Sequence, residues 1–318
     1  MQLLSAVPPS SSTLVSYADF GAAVAHARSI DLGAYILGAP TERLLETAAR
    51  RGAHVKVWLS GEAFGRSADR VAAVQRQEIE HLRAAGVEAS LTGDHAMHLK
   101  AASIDHVAYL ATGNWRSSGE VLLRDTVPGD AERAMRAVRL GSAPAAPVAP
   151  GQLALSHAAA LATEAALLST DTKGTLRLAT ESLGPTAISR LVIERARHHQ
   201  RVEVLLDRRL LHEDPAAQRE ADRFIAAGVD VRVSTNCPKL ALTQHGGWIG
   251  SANATHSEPR MPDWGLSLSS PSELSALRRC FSARWSQATP IKSLPEATSC
   301  VHAGLRHDLT RRPIEQDG

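Results

Sequence analysis

The chain has 318 residues, 44% of them apolar and 21% charged, with 35 basic against 33 acidic side chains. This is ordinary globular usage at about two domains' length, and it excludes a disordered, collagen-like or coiled-coil chain. With net charge +2, affinity for nucleic acid must come from a local patch rather than from bulk charge.

No stretch approaches the ~18 uninterrupted apolar residues of a spanning helix, so no membrane segment is expected. The start has no basic region, and its apolar run stops at Pro8-Pro9, unlike a secretory signal. The three cysteines, Cys237, Cys280 and Cys300, lack Cys-x-x-Cys spacing, which argues against a disulfide framework and a structural zinc site. These features point to a cytoplasmic protein.

Taken in chain order, the first half reads helix, strand, helix, strand, helix, strand, then a hairpin, another strand and a closing helix. Tyr35-Ile36-Leu37-Gly38 leads into an amphipathic helix and the β-branched strand His54–Leu59. A following helix ends at Gly86, where a short strand begins. The hairpin strands are expected at about 98–104 and 107–112, the next strand at 121–123, and the closing helix at about 129–139. The segment 141–151 is small, uncharged and proline-rich, which reads as a linker.

The second half repeats this order. Glu181-Ser182-Leu183-Gly184 matches the segment after Tyr35, and Ala226-Ala227-Gly228-Val229-Asp230 matches Ala84-Ala85-Gly86-Val87-Glu88. The strand 201–206, a hairpin at about 238–243 and 247–252, a strand at 265–268 and a helix at 271–287 complete it. An offset of about 142–146 residues is too long for a solenoid unit and suits a duplicated domain. Alternating strands and helices imply parallel βαβ units, to which the hairpin adds antiparallel strands. The expected fold is therefore α/β, with two similar lobes of mixed, mostly parallel sheet flanked by helices. The expected divisions are 1–140, the linker 141–151, a second lobe 152–295 and a tail 296–318.

The chemistry concentrates in the hairpins. His98 and Lys100 are two residues apart and so share one strand face. A lysine there can neutralise phosphoryl oxygens, and an imidazole can act as nucleophile or general acid. Lysine is scarce, with only five in the chain, yet Lys100 and Lys239 fall at corresponding places of the repeat. Asp105 sits at the hairpin turn and reads as shaping it.

His98-x-Lys100 followed by Asp105, then Gly113-Asn114, together with Lys239 and Gly250-Ser251-Ala252-Asn253 in the second half, resembles the phospholipase D superfamily over residues ~15–290. The resemblance implies two lobes related by a pseudo-two-fold axis with one site between them. It implies phosphodiester chemistry through a phosphohistidine, without metal or cofactor. It makes His98 the nucleophile and gives Lys100, Lys239, Asn114, Asn253 and Ser251 as the phosphate cradle. Glu120 matches an acid that orients the histidine, and Asp263 is its second-half analogue.

The second motif departs from the pattern. Cys237 stands where a histidine is expected and Gln244 where an aspartate is expected. The first-half Gly-Asn segment reads as short, lacking its serine. Cys237, water, or a nearby histidine such as His245 or His95 are the candidates to protonate the leaving group, and Cys237 is otherwise a buried space-filler. Trp115 and Trp248 are either core residues or base-stacking platforms. Compactness and the absence of apolar extensions favour a nuclease acting on DNA or RNA. The alternatives are a non-catalytic nucleic-acid- or protein-binding scaffold and a phospholipid phosphodiesterase. With both lobes in one chain a monomer suffices, although a homo-oligomer stays open.

Overall fold

The computed structural model describes residues 12–63, 68–93, 95–116, 120–235 and 237–291. The expected tail 296–318, with Cys300, lies outside them.

The first lobe runs β1 (Ser12–Val15), α1 (Tyr17–His26), β2 (Ser29–Ala34), α2 (Ala39–Arg50), β3 (His54–Leu59), α3 (Ala68–Ala84), β4 (Glu88–Leu91), β5 (Ala101–Ile104), β6 (Val107–Ala111), β7 (Leu122–Asp125) and α4 (Asp130–Leu140). The second runs β8 (Ala154–Ser156), α5 (His157–Thr170), β9 (Leu176–Thr180), α6 (Ala187–Arg197), β10 (Val202–Asp207), α7 (Arg208–Glu213), α8 (Pro215–Ala226), β11 (Asp230–Ser234), β12 (Lys239–Leu242), β13 (Gly247–Gly250), β14 (Pro262–Leu268), α9 (Pro271–Gln287) and β15 (Thr289–Pro290).

The two sheets have the same order. One is β1-β7-β6-β5-β2-β3-β4 and the other, read from β8, is β8-β14-β13-β12-β9-β10-β11, extended at its edge by β15. The fold is α/β with two similar lobes. The parallel part is confined to β2, β3 and β4 and to β9, β10 and β11. The hairpins and the edge strands β1 and β8 pair antiparallel, so each sheet is mixed but not mostly parallel. The reason is local. β1 and β8 are short and carry little periodicity, and each adds an antiparallel pairing that hydrophobic pattern alone does not announce.

Local chemistry fixes the helix ends. Ser16, Ser156 and Ser270 cap α1, α5 and α9, with full capping boxes at Ser16 and Ser270. Gly86 and Gly228 take φ of 86° and 89° just past α3 and α8, a left-handed turn that releases the chain into β4 and β11. The segment 141–151 holds no helix or strand. Its Ala143 N–H bonds the Arg260 carbonyl, and its Pro144 carbonyl accepts from the Ser156 hydroxyl.

Three apolar cores result. One lies within each lobe. The third joins them, bringing Met97, Leu99, Leu110 and Leu123 together with Leu240, Ile249, Trp264 and Phe281. At about 1.5–3 kcal/mol per fully buried large apolar side chain, this shared core fixes the lobes against each other. Trp264 adds a bond from its indole N–H to the Ala111 carbonyl at 2.9 Å. His98, Asp263, Lys100 and Lys239 lie on this seam.

Candidate active site

His98 precedes β5 rather than belonging to it. Its backbone N–H bonds the Pro262 carbonyl of β14 at 3.0 Å, so the second lobe, not the first-lobe ladder, sets its position. The side chain is buried, and Nδ1 lies 3.3 Å from both carboxylate oxygens of Asp263. A carboxylate only accepts, so Nδ1 carries the proton and Nε2 the lone pair. Burial, then the charge of Lys100, lower the His98 pKa to about 4 against the pull of Asp263. The ring is therefore neutral at pH 7, as a nucleophile must be. Tyr35, just past β2, packs edge-on to it at 6.3 Å.

Asp263 is completely buried. Its oxygens also receive the Ser251 hydroxyl and Nδ1 of His157, the latter at 3.1 Å. The Nε2 of His157 bonds the Thr255 carbonyl at 2.8 Å. Both partners of His157 are acceptors, so both ring nitrogens are donors and the ring is a cation. Burial opposes this, but the hydrogen bond and charge of Asp263 and the Thr255 carbonyl together raise its pKa. Burial alone would raise the Asp263 pKa. His98, His157 and Lys100 hold it far below the carboxylate range instead.

Two expectations change here. The acid on His98 is Asp263 from the opposite lobe, not Glu120, whose Oε2 bonds the Arg116 N–H within its own lobe. The Ser251 hydroxyl is committed to Asp263 and to the Trp264 N–H at 3.0 Å. It orients the acid rather than cradling phosphate.

Lys100 and Lys239 are each 1% exposed and sit close enough for each to feel the other's charge. Lys239 Nζ bonds the Thr112 carbonyl at 3.0 Å and Glu181 at 2.8 Å. The Glu181 carboxyl would be raised by burial, but Lys239, Lys100 and His98 lower it overall. Among the described residues, Lys100 Nζ has no hydrogen-bond partner, and neither have the buried Oδ1 atoms of Asn114 and Asn253. Burial, then Lys239, lower the Lys100 pKa to about 7. A buried ammonium without a partner costs several kcal/mol. An anion lodged beside it would remove that cost.

Glu120 is half-buried just before β7, its Oε2 accepting the Arg116 backbone N–H at 2.8 Å. Its counterpart by hydrogen bonding is Asp263. Thr112 N–H bonds the Val121 carbonyl and Val121 N–H the Thr112 hydroxyl, as Ser251 and Trp264 do in the second lobe. Thr112-Gly113-Asn114 thus matches Ser251-Ala252-Asn253. The first-half segment is not short, and threonine supplies the hydroxyl that serine supplies in the other copy.

Cys237 is buried and free, and burial pushes its thiol above the ordinary range. His245 is exposed at the β12–β13 turn, the opposite end of that hairpin from Lys239. Its distance from the seam removes it as a proton donor. His95 is also exposed and lines a separate cleft of about 400 Å³ with Glu62, Glu258 and Arg260. Asp105 accepts the N–H groups of Arg28 and Ser29, tying the hairpin turn to β2. Trp115 and Trp248 are 0% and 1% exposed, so neither presents a face to a base.

No family model matches the sequence, and no curated protein matches it. Solved structures do. Phosphatidylserine synthase of Haemophilus influenzae Rd KW20 aligns with a TM-score of 0.61 at 13% identity, over 89% of this chain and 88% of that one. Polyphosphate kinase of Porphyromonas gingivalis aligns at 0.58 and 15% identity, over 84% of this chain and 45% of its own length. The chain therefore spans less than half of that kinase. Nuc of Salmonella typhimurium, a phospholipase D family member, matches 45% of this chain at a TM-score of 0.40 and 16% identity.

The chain has the phospholipase D fold. Within this phospholipase D fold the seam unites His98, Asp263, Lys100 and Lys239, and Asn114 and Asn253 each hold a buried Oδ1. His157, Glu181, Tyr35 and Thr112 join them. Sequence reading missed these four because no spacing marks them. The one usable signal was that His157 opens α5 directly after its Ser156 cap, as Tyr17 opens α1 after Ser16.

Proposed function

We propose that the protein is a metal-independent phosphodiesterase that forms a phosphohistidine at His98, with DNA or RNA as its substrate. The observation that carries this reading is a buried imidazole whose tautomer Asp263 fixes, with the charge of Lys100 acting on it and Lys100 Nζ without a hydrogen-bond partner among the described residues. His98 Nε2 attacks phosphorus, and the bond to the leaving oxygen breaks. Asp263 stabilises the imidazolium that forms, as a buried carboxylate does for a catalytic histidine. Lys100 and Lys239 offset the charge gathering on the phosphoryl oxygens. Water then cleaves the phosphorus–nitrogen bond and restores His98.

Nucleic acid is favoured over lipid by the surface. Among the described residues, the exposed large apolar side chains are Val74, Leu91 and Leu140. They fall on α3, β4 and α4, and no helix is long and apolar enough to cross a membrane. A lipid enzyme needs a contiguous apolar face at its site.

Incubation with single- and double-stranded DNA and RNA in EDTA tests the reading. Cleavage by wild type, lost by at least about 10⁴-fold in His98→Ala, is the expected result. No cleavage of any substrate, or equal cleavage by the variant, overturns it. The second reading, a binding scaffold, draws on Cys237 in place of the second imidazole. Binding of the same nucleic acids without turnover would support it, and a phosphohistidine trapped on His98 would eliminate it.

A further inference from the structure

We propose that Glu120 is the proton donor to the leaving group, a catalytic residue that takes the place of the absent second histidine. The inference rests on the phosphodiesterase reading above. Its basis is the broken symmetry of the two half-sites.

Glu120 and Asp263 are equivalent by their hydrogen-bond surroundings. Asp263 reaches across the seam to His98. By the same equivalence Glu120 belongs to the half-site of Lys239, whose charge, with that of Lys100, acts on it. That half-site has Cys237 in place of an imidazole, and a thiol ends two bonds short of a histidine's Nε2. Gly113 makes the space beside it, since a Cβ there would fall 2.7 Å from Glu120 Oε1.

The supports of the two acids differ as much as their lengths. Asp263 is bracketed by two imidazoles and a hydroxyl, which fix it as an anion. In the first lobe the helix opens with Tyr17 instead of His157. The Thr41 hydroxyl donates to the Trp115 carbonyl, so the Tyr17 phenol donates to Thr41 and offers Glu120 no proton. The charged groups facing Glu120 are Arg116, Lys239 and Lys100, with Tyr17 the titratable neighbour behind it. Burial outweighs these cations and raises Glu120 to about 7. Paired titratable groups pushed apart by their surroundings divide acid and base roles between them. The other candidates fail on their chemistry. Glu181 is held anionic by Lys239, the Cys237 thiol is pushed to a weaker acidity than usual, His245 sits at the far turn of its hairpin, and His95 is exposed in a cleft with Glu62, Glu258 and Arg260.

The step balances. As His98 Nε2 bonds phosphorus and the leaving P–O bond breaks, the Glu120 carboxyl gives its proton to the departing oxygen. In the second step the Glu120 carboxylate takes a proton from the attacking water, the P–N bond breaks, and both groups return to their starting states.

The test compares leaving groups. Wild type, Glu120→Gln and Glu120→Asp are assayed on an oligonucleotide, whose leaving alkoxide needs a proton, and on bis(p-nitrophenyl) phosphate, whose leaving phenolate does not. The expected result is a loss of about 10²–10⁴-fold on the oligonucleotide for Glu120→Gln, with a change of only a few-fold on the nitrophenyl ester. Glu120→Asp should fall between. A retained melting temperature confirms folding. Equal losses on both substrates, or none on either, overturn the proposal while leaving the His98 reading intact. If wild type cleaves neither substrate, the phosphodiesterase reading itself fails. The pH profile on the oligonucleotide should rise past about 4, as His98 deprotonates, and fall past about 7. Lys100 titrates in that same upper range, so the leaving-group contrast decides the assignment.

Discussion

The two half-sites began as the same arrangement and now do opposite things with a carboxylic acid. In one, Asp263 lies between His98 and His157 with the Ser251 hydroxyl against it. In the other, Glu120 has a backbone N–H from Arg116, a neutral phenol behind it and no imidazole among the groups acting on it. Burial acts on both carboxyls. Two cationic or polarised rings overcome it at Asp263, and nothing of comparable strength overcomes it at Glu120. The comparison teaches that one backbone can set a fixed anion or a titrating acid through its neighbours alone.

The comparison can be tested on the residues that create it, starting with stability. Asp263→Ala should cost about 3–5 kcal/mol, because it leaves the His157 cation buried and unpaired. Glu120→Ala should cost about 1 kcal/mol or less, since the Arg116 N–H it abandons is exposed and water can bond it. Urea unfolding of both variants measures the contrast, and equal losses would break it. Lys100→Met should shift stability the other way, by about 1–4 kcal/mol of gain, since an unpartnered buried charge is replaced by an apolar chain. The same variant should lose the rise in melting temperature that inorganic phosphate gives the wild type.

Smaller effects sharpen the picture. His157 has a raised folded pKa, so its contribution is fully present below its unfolded value near 6.5. It is lost as pH rises through the folded value. Denaturation of wild type and His157→Gln across this range should converge as pH increases, and parallel curves would refute the cationic assignment. Cys237→Ala should change cleavage by only a few-fold, because a buried thiol of raised pKa takes no part. A loss of 100-fold would return the thiol to the chemistry.

Much of this was legible in the sequence. The duplication, the hairpins carrying Lys100 and Lys239, and the caps at Gly86 and Gly228 follow from local pattern, and the structure places them as expected. Asn114 and Asn253 came from the resemblance, which gave them as candidate cradle residues. What escaped were relations across the seam. The motif resemblance offered Glu120, in the same half of the chain as His98, yet Asp263, far along the chain, is the acid that touches it. His157 and Glu181 likewise act through tertiary contact, with no periodicity to betray them. Thr112 was overlooked because a threonine doing a serine's work breaks the motif's letters while keeping its hydroxyl.

The main-chain bond from His98 to Pro262 and the reach of Lys239 to Thr112 bind the history of the two copies together. Neither lobe owns a complete reaction centre, so a change accepted in one is judged by the performance of the other. A fragment holding a single copy would inherit a motif but not its counter-ion. Divergence in such a duplicated fold proceeds as a negotiated pair rather than as two independent drifts.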